Sequence, residues 1–215
     1  MDEETVRRAN LVLSLRSTGV TSRSILNAFE TTPRHAFAPK TYADDAYADR
    51  LIPIGCGQTM EAPTVLARLL VSADISPDST VLEIGAGSGY LTALLSRLCR
   101  RVIALERFRQ LAETARTNLS QQGIERAEVI LTDGSAGWPP AGPYGAIIVT
   151  AAVERLPQMW FEQITPGARL IVPFGKADQP QKWLCFVNTP EGLKSPEVIG
   201  STFAAPLTPG LARTL

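Results

Sequence analysis

A chain of 215 residues with 21 basic and 21 acidic side chains has no net charge, so no basic field marks it for nucleic acid or an anionic membrane surface. Its 45% hydrophobic and 20% charged content is that of a globular protein, long enough for one α/β domain with an elaboration. Cys56, Cys99 and Cys185 are odd in number and scattered, which argues against a disulfide framework and for a reducing cytoplasm. They lack metal-ligand spacing, and with His35 the single histidine neither a zinc site nor a Ser-His-Asp triad is expected.

The acidic start Met1-Asp2-Glu3-Glu4 lacks the apolar core of a secretory signal, and no run reaches the ~18 apolar residues of a membrane helix. Val6, Leu11, Leu13 and Leu15, then Ile25, Leu26, Ala28 and Phe29, fall at helical spacing on either side of a capping break at 18–22. Pro33 ends the second helix. An irregular stretch covers 36–49. Two glycines and two prolines in 51–63 mark a shaped loop, and loops on rigid scaffolds often carry function. A helix over 64–73 and a loop at 76–79 lead into the core.

The core alternates strands and helices. Residues 81–84 are apolar except for Glu83, and read as a buried strand. Gly85, Gly87 and Gly89 follow at alternate positions, and a helix opens at Tyr90 and runs to 98. The next strand, 101–105, ends in Glu106. A helix over 107–122 stops at Gly123 as a C-cap. Strand 127–131 runs into Thr132-Asp133-Gly134 and a loop to 140. Strand 144–149, continuously apolar as a buried parallel strand should be, exits into Thr150-Ala151-Ala152. A short helix is expected over 157–164, and Pro166-Gly167 turns into strand 169–173. The short separation of the last strands, 183–187 and 198–204, favours a hairpin, hence an antiparallel edge on a mostly parallel sheet.

Strand, glycine turn and helix make the front half of a nucleotide-binding βαβ unit. Glycine supplies unusual φ values and lets a ligand approach bare backbone, and the helix start offers free N–H groups. The dinucleotide pattern Gly-x-Gly-x-x-Gly fails, because its sixth position is Tyr90. Glu83, two residues before the first glycine, fits instead the pattern of S-adenosylmethionine-dependent methyltransferases. Glu106, 17 residues after Gly89, can accept both hydroxyls of a ribose, and Asp133 at the third strand end is placed to meet an adenine edge.

Read whole, the chain resembles the protein-L-isoaspartate O-methyltransferases. Residues 33–39, 46–49 and 53–59 resemble that family's amino-terminal signature. Residues 81–90 resemble its cofactor loop, Glu106-Arg107 its ribose acid, Asp133-Gly134 with Gly137-Trp138 its adenine loop, and Pro206-Leu207-Thr208 its carboxyl-terminal close. The resemblance implies a three-layer Rossmann-like fold with a seven-stranded sheet, helices on both faces, and a helical cap at 1–75 that helps form the acceptor site over a cofactor core at 76–215. It implies S-adenosylmethionine as cofactor, leaving S-adenosylhomocysteine, held by Glu83, Gly85, Ala86, Gly87, Ser88, Gly89, Tyr90, Glu106, Arg107, Asp133 and Gly134. Thr59 and Glu61 would stand at the reacting groups. Gln58, Thr150, Ala151 and Ala152 would frame the acceptor. The implied acceptor is the free carboxylate of isoaspartyl, or D-aspartyl, residues in damaged proteins; no metal, nucleic acid or membrane is expected, and a cytoplasmic monomer is. Such a carboxylate, with a reference pKa near ~3.9, is already ionised at neutral pH, so holding it in line and excluding water suffices.

One position departs from the family. Its loop usually carries a serine or threonine two residues after Gln58-Thr59, a hydroxyl able to bond the incoming carboxylate; this chain has Glu61. Like charge at about 5 Å and an effective dielectric of ~20 would cost roughly 3 kcal/mol, about two decades of rate. Glu61 is therefore protonated by burial, turned away, or recruited for a different acceptor. A changed acceptor, or a catalytically silent cofactor-binding relative, stands beside the repair enzyme as an alternative.

Overall fold

Side chains alternate along the central strands and so sort onto two faces of one sheet. The computed structural model describes residues 3–212; Met1 and Asp2 of the acidic start lie outside the described residues. In chain order the elements are α1 (Glu3–Ser17), α2 (Arg23–Thr31), β1 (Ile52–Gly55), β2 (Gln58–Met60), α3 (Pro63–Ala73), β3 (Thr80–Ile84), α4 (Tyr90–Ser96), β4 (Arg101–Glu106) and α5 (Arg109–Gln121). Then come β5 (Ala127–Leu131), β6 (Tyr144–Val149), α6 (Gln158–Phe161), β7 (Ile164–Phe174), β8 (Gln181–Thr189), β9 (Gly192–Leu193) and β10 (Glu197–Thr202).

The seven main strands lie in the order β10-β8-β7-β6-β3-β4-β5, with the two-residue β9 paired beside β8. Strands β5, β4, β3, β6 and β7 are mutually parallel. At the other edge β8 runs against both β7 and β10, giving the expected antiparallel hairpin. Val81, Val102, Ala104, Ala146 and Ile148 face one cluster, with α1 to α5; Leu82, Ile84, Ile103, Leu105, Ile147 and Val149 face the other, with Trp160 of α6. Helices thus cover both faces unequally, five on one and the four-residue α6 on the other. From β3 the chain goes first to β4 on one side and later to β6 on the other, so a crevice opens outside the carboxyl ends there.

Several sequence expectations need correction. The stretch read as a shaped loop contains an antiparallel hairpin, β1 with β2, closed by Cys56-Gly57 at φ 52° and 66°, the left-handed pair that a two-residue hairpin turn requires. Leu11 and Leu15, one turn apart, bury the face of α1, whereas Leu13 is 61% exposed and Val6 is also exposed. The short helix is only Gln158–Phe161, and Ile164 already pairs with Tyr144. Pro166-Gly167 is a bulge inside β7, after which Arg169 pairs with Ala146.

Candidate active site

The turn after β3 is held from below by β4 and from the side by β6. Gly85 and Ala86 donate their N–H groups to the Leu105 carbonyl at 2.8 and 3.0 Å. Gly85, Gly87 and Gly89 all have left-handed φ, at 101°, 56° and 87°. A Cβ on Gly85 would lie 2.3 Å from Thr150 Oγ1, which donates to the Gly85 carbonyl at 2.8 Å. A Cβ on Gly89 would press on the Ala115 backbone at 3.3 Å, so the third glycine lets α5 pack close to the loop.

A cavity of about 190 Å³ lies outside the carboxyl ends of β3 to β6. The Glu106 carboxylate lines it, accepting from Gly87 N–H and Phe108 N–H, both at 2.9 Å. Burial raises the Glu106 pKa, against the pull of those donors. With lone pairs to spare on both oxygens, it remains able to accept ribose hydroxyls. The fourth wall is the carboxyl-terminal segment. It crosses Ala152, whose N–H donates to Ala205 O and whose carbonyl accepts from Leu207 N–H, each at 2.8 Å. Asp133 Oδ2 accepts from Gly210 N–H at 2.7 Å, and Arg107 Nε donates to the Gly210 carbonyl at 3.0 Å. Burial works against the Asp133 carboxylate, but the Gly210 and Ser135 N–H donors outweigh it and hold its pKa below the usual range.

A second cavity of about 60 Å³ adjoins the first, sharing Ile54, Thr59, Gly85, Gly87 and Thr150. Glu83 forms its floor. Fully buried, it accepts from Thr92 Oγ1 at 2.6 Å through Oε2, while Oε1 has no partner. Burial pushes its pKa up to about 8. An unpartnered carboxyl oxygen beneath the glycine loop is an acceptor waiting for a cation or N–H donor, such as the ammonium of an amino-acid ligand. The opposite wall holds Glu61, Trp183, Thr202 and Phe203. Glu61 Oε1 accepts from Ala62 N–H at 2.8 Å, and Thr202 Oγ1 donates to Oε2 at 2.5 Å. Burial raises the Glu61 pKa; Thr202, Ala62, Arg34 and Trp183 pull it back.

Gln58, Thr59, Gly85, Gly87, Glu106, Arg107, Asp133, Gly134, Thr150 and Ala151 line the first cavity. Glu61, Glu83, Ala86, Ser88 and Tyr90 line the second. Gly89 and Ala152 line neither; one packs α5 and the other carries the carboxyl-terminal segment. Asp133, like Glu106, accepts one backbone N–H on each oxygen, from Ser135 and Gly210. His35, 3.2 Å from the Tyr47 hydroxyl, is remote from both cavities' linings. Sequence reasoning missed Thr202, Trp183 and the buried Arg34, which stacks 4.8 Å over the Tyr90 ring and donates to the Ala46 and Glu61 carbonyls at 2.6 and 2.7 Å. Thr202 and Arg34 become notable only through polar partners distant in sequence, and Trp183 only through its burial on the cavity wall.

The donor set fits S-adenosylmethionine: the glycine cradle and orphaned Glu83 oxygen for its amino-acid end, Glu106 for its ribose, and the 132–134 turn beside its adenine. The family model described as protein-L-isoaspartate(D-aspartate) O-methyltransferase matches residues 6–210. A protein-L-isoaspartate O-methyltransferase of Nitrobacter winogradskyi is 39% identical, over 94% of this chain and 93% of that one. A solved protein-L-isoaspartate O-methyltransferase superposes with a TM-score of 0.83 at 30% identity, over 92% of this chain and 65% of its own length. A Plasmodium falciparum structure, described as a putative member in complex with S-adenosyl-L-homocysteine, shares the fold with a TM-score of 0.77 at 20% identity, over 94% of this chain and 98% of that one.

Proposed function

This chain belongs to the protein-L-isoaspartate(D-aspartate) O-methyltransferase family, and we propose from that membership how its own residues carry out the reaction. The enzyme transfers a methyl group from S-adenosylmethionine to the free carboxylate of isoaspartyl residues in damaged proteins, releasing S-adenosylhomocysteine. When bound, the cofactor supplies an electrophilic sulfonium methyl.

The observation that carries the assignment of roles is the convergence of the β3, β4, β5 and β6 ends on one cavity. Gly85, Gly87 and Ser88 would cradle the methionine end, with Glu83 below them. Glu106 would orient the ribose, and Arg107, Asp133 and Gly134 would bound the adenine side. The carboxyl-terminal segment over Ala152 would exclude water, which favours transfer to an anionic oxygen. The acceptor would enter between the Gln58–Glu61 stretch of the cap, 1–75, and Thr150-Ala151. No proton need be removed from an ionised carboxylate, so catalysis is orientation and desolvation rather than general base chemistry.

The protein would act as a monomer on isoaspartyl-containing polypeptides in the cytoplasm, a location in keeping with three free cysteines. Among the described residues no helix is long and apolar enough to cross a membrane. A second reading, an acceptor that is neutral or cationic, draws support from Glu61 and Glu83 on the walls of one small cavity.

The test is methyl transfer from labelled S-adenosylmethionine to matched isoaspartyl and aspartyl peptides. Transfer to the isoaspartyl peptide alone is expected. Turnover on amines or hydroxyl compounds but neither peptide would overturn it in favour of the changed acceptor.

A further inference from the structure

The wall of the second cavity that faces away from the cofactor strands carries two hydrogen-bond donors. The Trp183 indole N–H, on β8, is buried with no acceptor within hydrogen-bond distance among the described residues, yet lies close enough to the Glu61 carboxylate to lower its pKa. The Thr202 hydroxyl, nearby on β10, is engaged with Glu61. Both donors thus converge on Glu61, and the indole, beyond hydrogen-bond distance of it, leaves room on this wall for an acceptor atom from outside the chain. Of the other hydroxyls lining this space, Thr150 donates to Gly85 O at 2.8 Å and Ser88 points toward Met60 Sδ at 3.5 Å. The Tyr90 hydroxyl is buried under the Arg34 guanidinium, and Thr59 is shared with the first cavity; Thr202 alone among these hydroxyls is bonded to Glu61. Beside Thr202, Phe203 is 59% exposed at the rim, where a polypeptide acceptor must arrive.

Resting on the carboxylate acceptor proposed above, we propose that Thr202 supplies the hydroxyl that receives the acceptor carboxylate, and that Glu61 is the positioning residue that decides where the Thr202 proton points. Thr202 has one proton to give. When Glu61 is a carboxylate, it takes that proton through Oε2. When Glu61 is neutral, its own Oε2–H donates to Thr202 Oγ, and the Thr202 O–H turns to the acceptor oxygen. Oε1 stays fixed on Ala62 N–H in both states, so the carboxyl need not move.

The charged and titratable neighbours decide which state prevails. Burial raises the Glu61 pKa, while the Arg34 guanidinium from the cap favours the carboxylate. Glu83 of β3 lies on the same cavity, Tyr90 of α4 is kept neutral by burial, and Asp49 offsets part of the Arg34 charge. An incoming carboxylate adds negative charge and tips Glu61 further toward the neutral acid.

The experiment compares wild type, Thr202→Val, Thr202→Ser and Glu61→Gln, full-length, with an isoaspartyl peptide at saturating S-adenosylmethionine. kcat and KM are read between about pH 6 and 9, beside S-adenosylhomocysteine affinity and thermal melting. Thr202→Val should raise the acceptor KM about tenfold or more with cofactor affinity within about twofold, and Thr202→Ser should restore it. The wild-type KM should climb with pH, whereas Glu61→Gln, whose amide N–H can also donate to Thr202, should keep it low and flat. An unchanged KM in Thr202→Val, or parallel pH profiles for wild type and Glu61→Gln, would overturn the proposal. Lost cofactor affinity with unchanged acceptor KM would assign the pair to the cofactor instead. Should Thr202→Val melt prematurely, Thr202→Ser and Glu61→Gln still decide. If wild type binds S-adenosylhomocysteine yet never methylates the isoaspartyl peptide, the acceptor assignment itself fails, and this proposal with it.

Discussion

Thr150, at the end of β6, grips the first glycine of the loop after β3: its hydroxyl donates to Gly85 O at 2.8 Å and fills the space a Cβ there would need. Gly85→Ala combines a disallowed φ of 101° with an overlap at 2.3 Å, so it should abolish S-adenosylhomocysteine binding in a calorimetric titration. Thr150→Val keeps the shape and loses the bond, about 1 kcal/mol, and should weaken binding about fivefold. Full affinity in Gly85→Ala would mean that the loop is not the cofactor's cradle.

Glu106 joins β4 to the loop through Gly87 N–H and to the start of α5 through Phe108 N–H. Glu106→Gln turns an NH2 group toward one of these donors and removes the charge. Bonds to charged groups contribute roughly 1.5–3 kcal/mol, so S-adenosylhomocysteine affinity should fall ten- to hundredfold. The acceptor KM at saturating cofactor should barely change, since the role proposed for Glu106 is to orient the ribose. A matching rise in acceptor KM would contradict that division of the site.

What the sequence made legible follows from burial. Strands β3, β4 and β6 are covered on both faces, so their interiors read as continuous apolar runs, and Glu83 stood out as the one acid inside such a run. Gly85 to Gly89 and Glu106 could be placed because each sits at the end of such a run. The β1–β2 hairpin was not legible: β1 alternates over only four residues, Ile52 and Ile54 inward with Pro53 and Gly55 exposed, and a proline and two glycines in so short a piece read as loop. Arg34, fully buried, resembles any helix-ending residue in sequence, because the carbonyls that accept from its Nε and Nη2 lie 12 and 27 residues away. Thr202 is likewise defined by Glu61, 141 residues distant.

The carboxyl-terminal segment is held over the first cavity at Gly210, whose N–H donates to Asp133 and whose carbonyl accepts from Arg107. Asp133→Ala removes one side of that clamp. Amide exchange over residues 205–212 should quicken, and S-adenosylhomocysteine should dissociate about tenfold faster, with the core strands' protection unchanged. Unaltered exchange in that segment would show that the Ala152–Pro206 bridge and the Arg107 contacts hold it without Asp133.

Glu83 makes stability depend on pH in a direction opposite to that of a salt-bridged carboxylate. Its pKa rises from 4.5 to about 8 in the folded chain because burial penalises the charged form, despite the Thr92 hydroxyl. A raised folded pKa means that the native state binds the proton more tightly. Its stabilising contribution is full below the unfolded value and is lost as pH rises through the folded one. Glu61 and Glu106, also raised by burial, act in the same sense, and Asp133, lowered, acts in the opposite sense at acid pH. The ligand-free protein should therefore melt at progressively lower temperature between about pH 5 and 8, and Glu83→Gln should melt with a shallower slope. An ammonium group settling on the orphaned Oε1 would favour the carboxylate, so S-adenosylhomocysteine binding near pH 7 should release a proton. Calorimetry in buffers of different ionisation enthalpy measures that proton directly. Release that persists undiminished in Glu83→Gln would assign it to another group and remove Glu83 from the ammonium site.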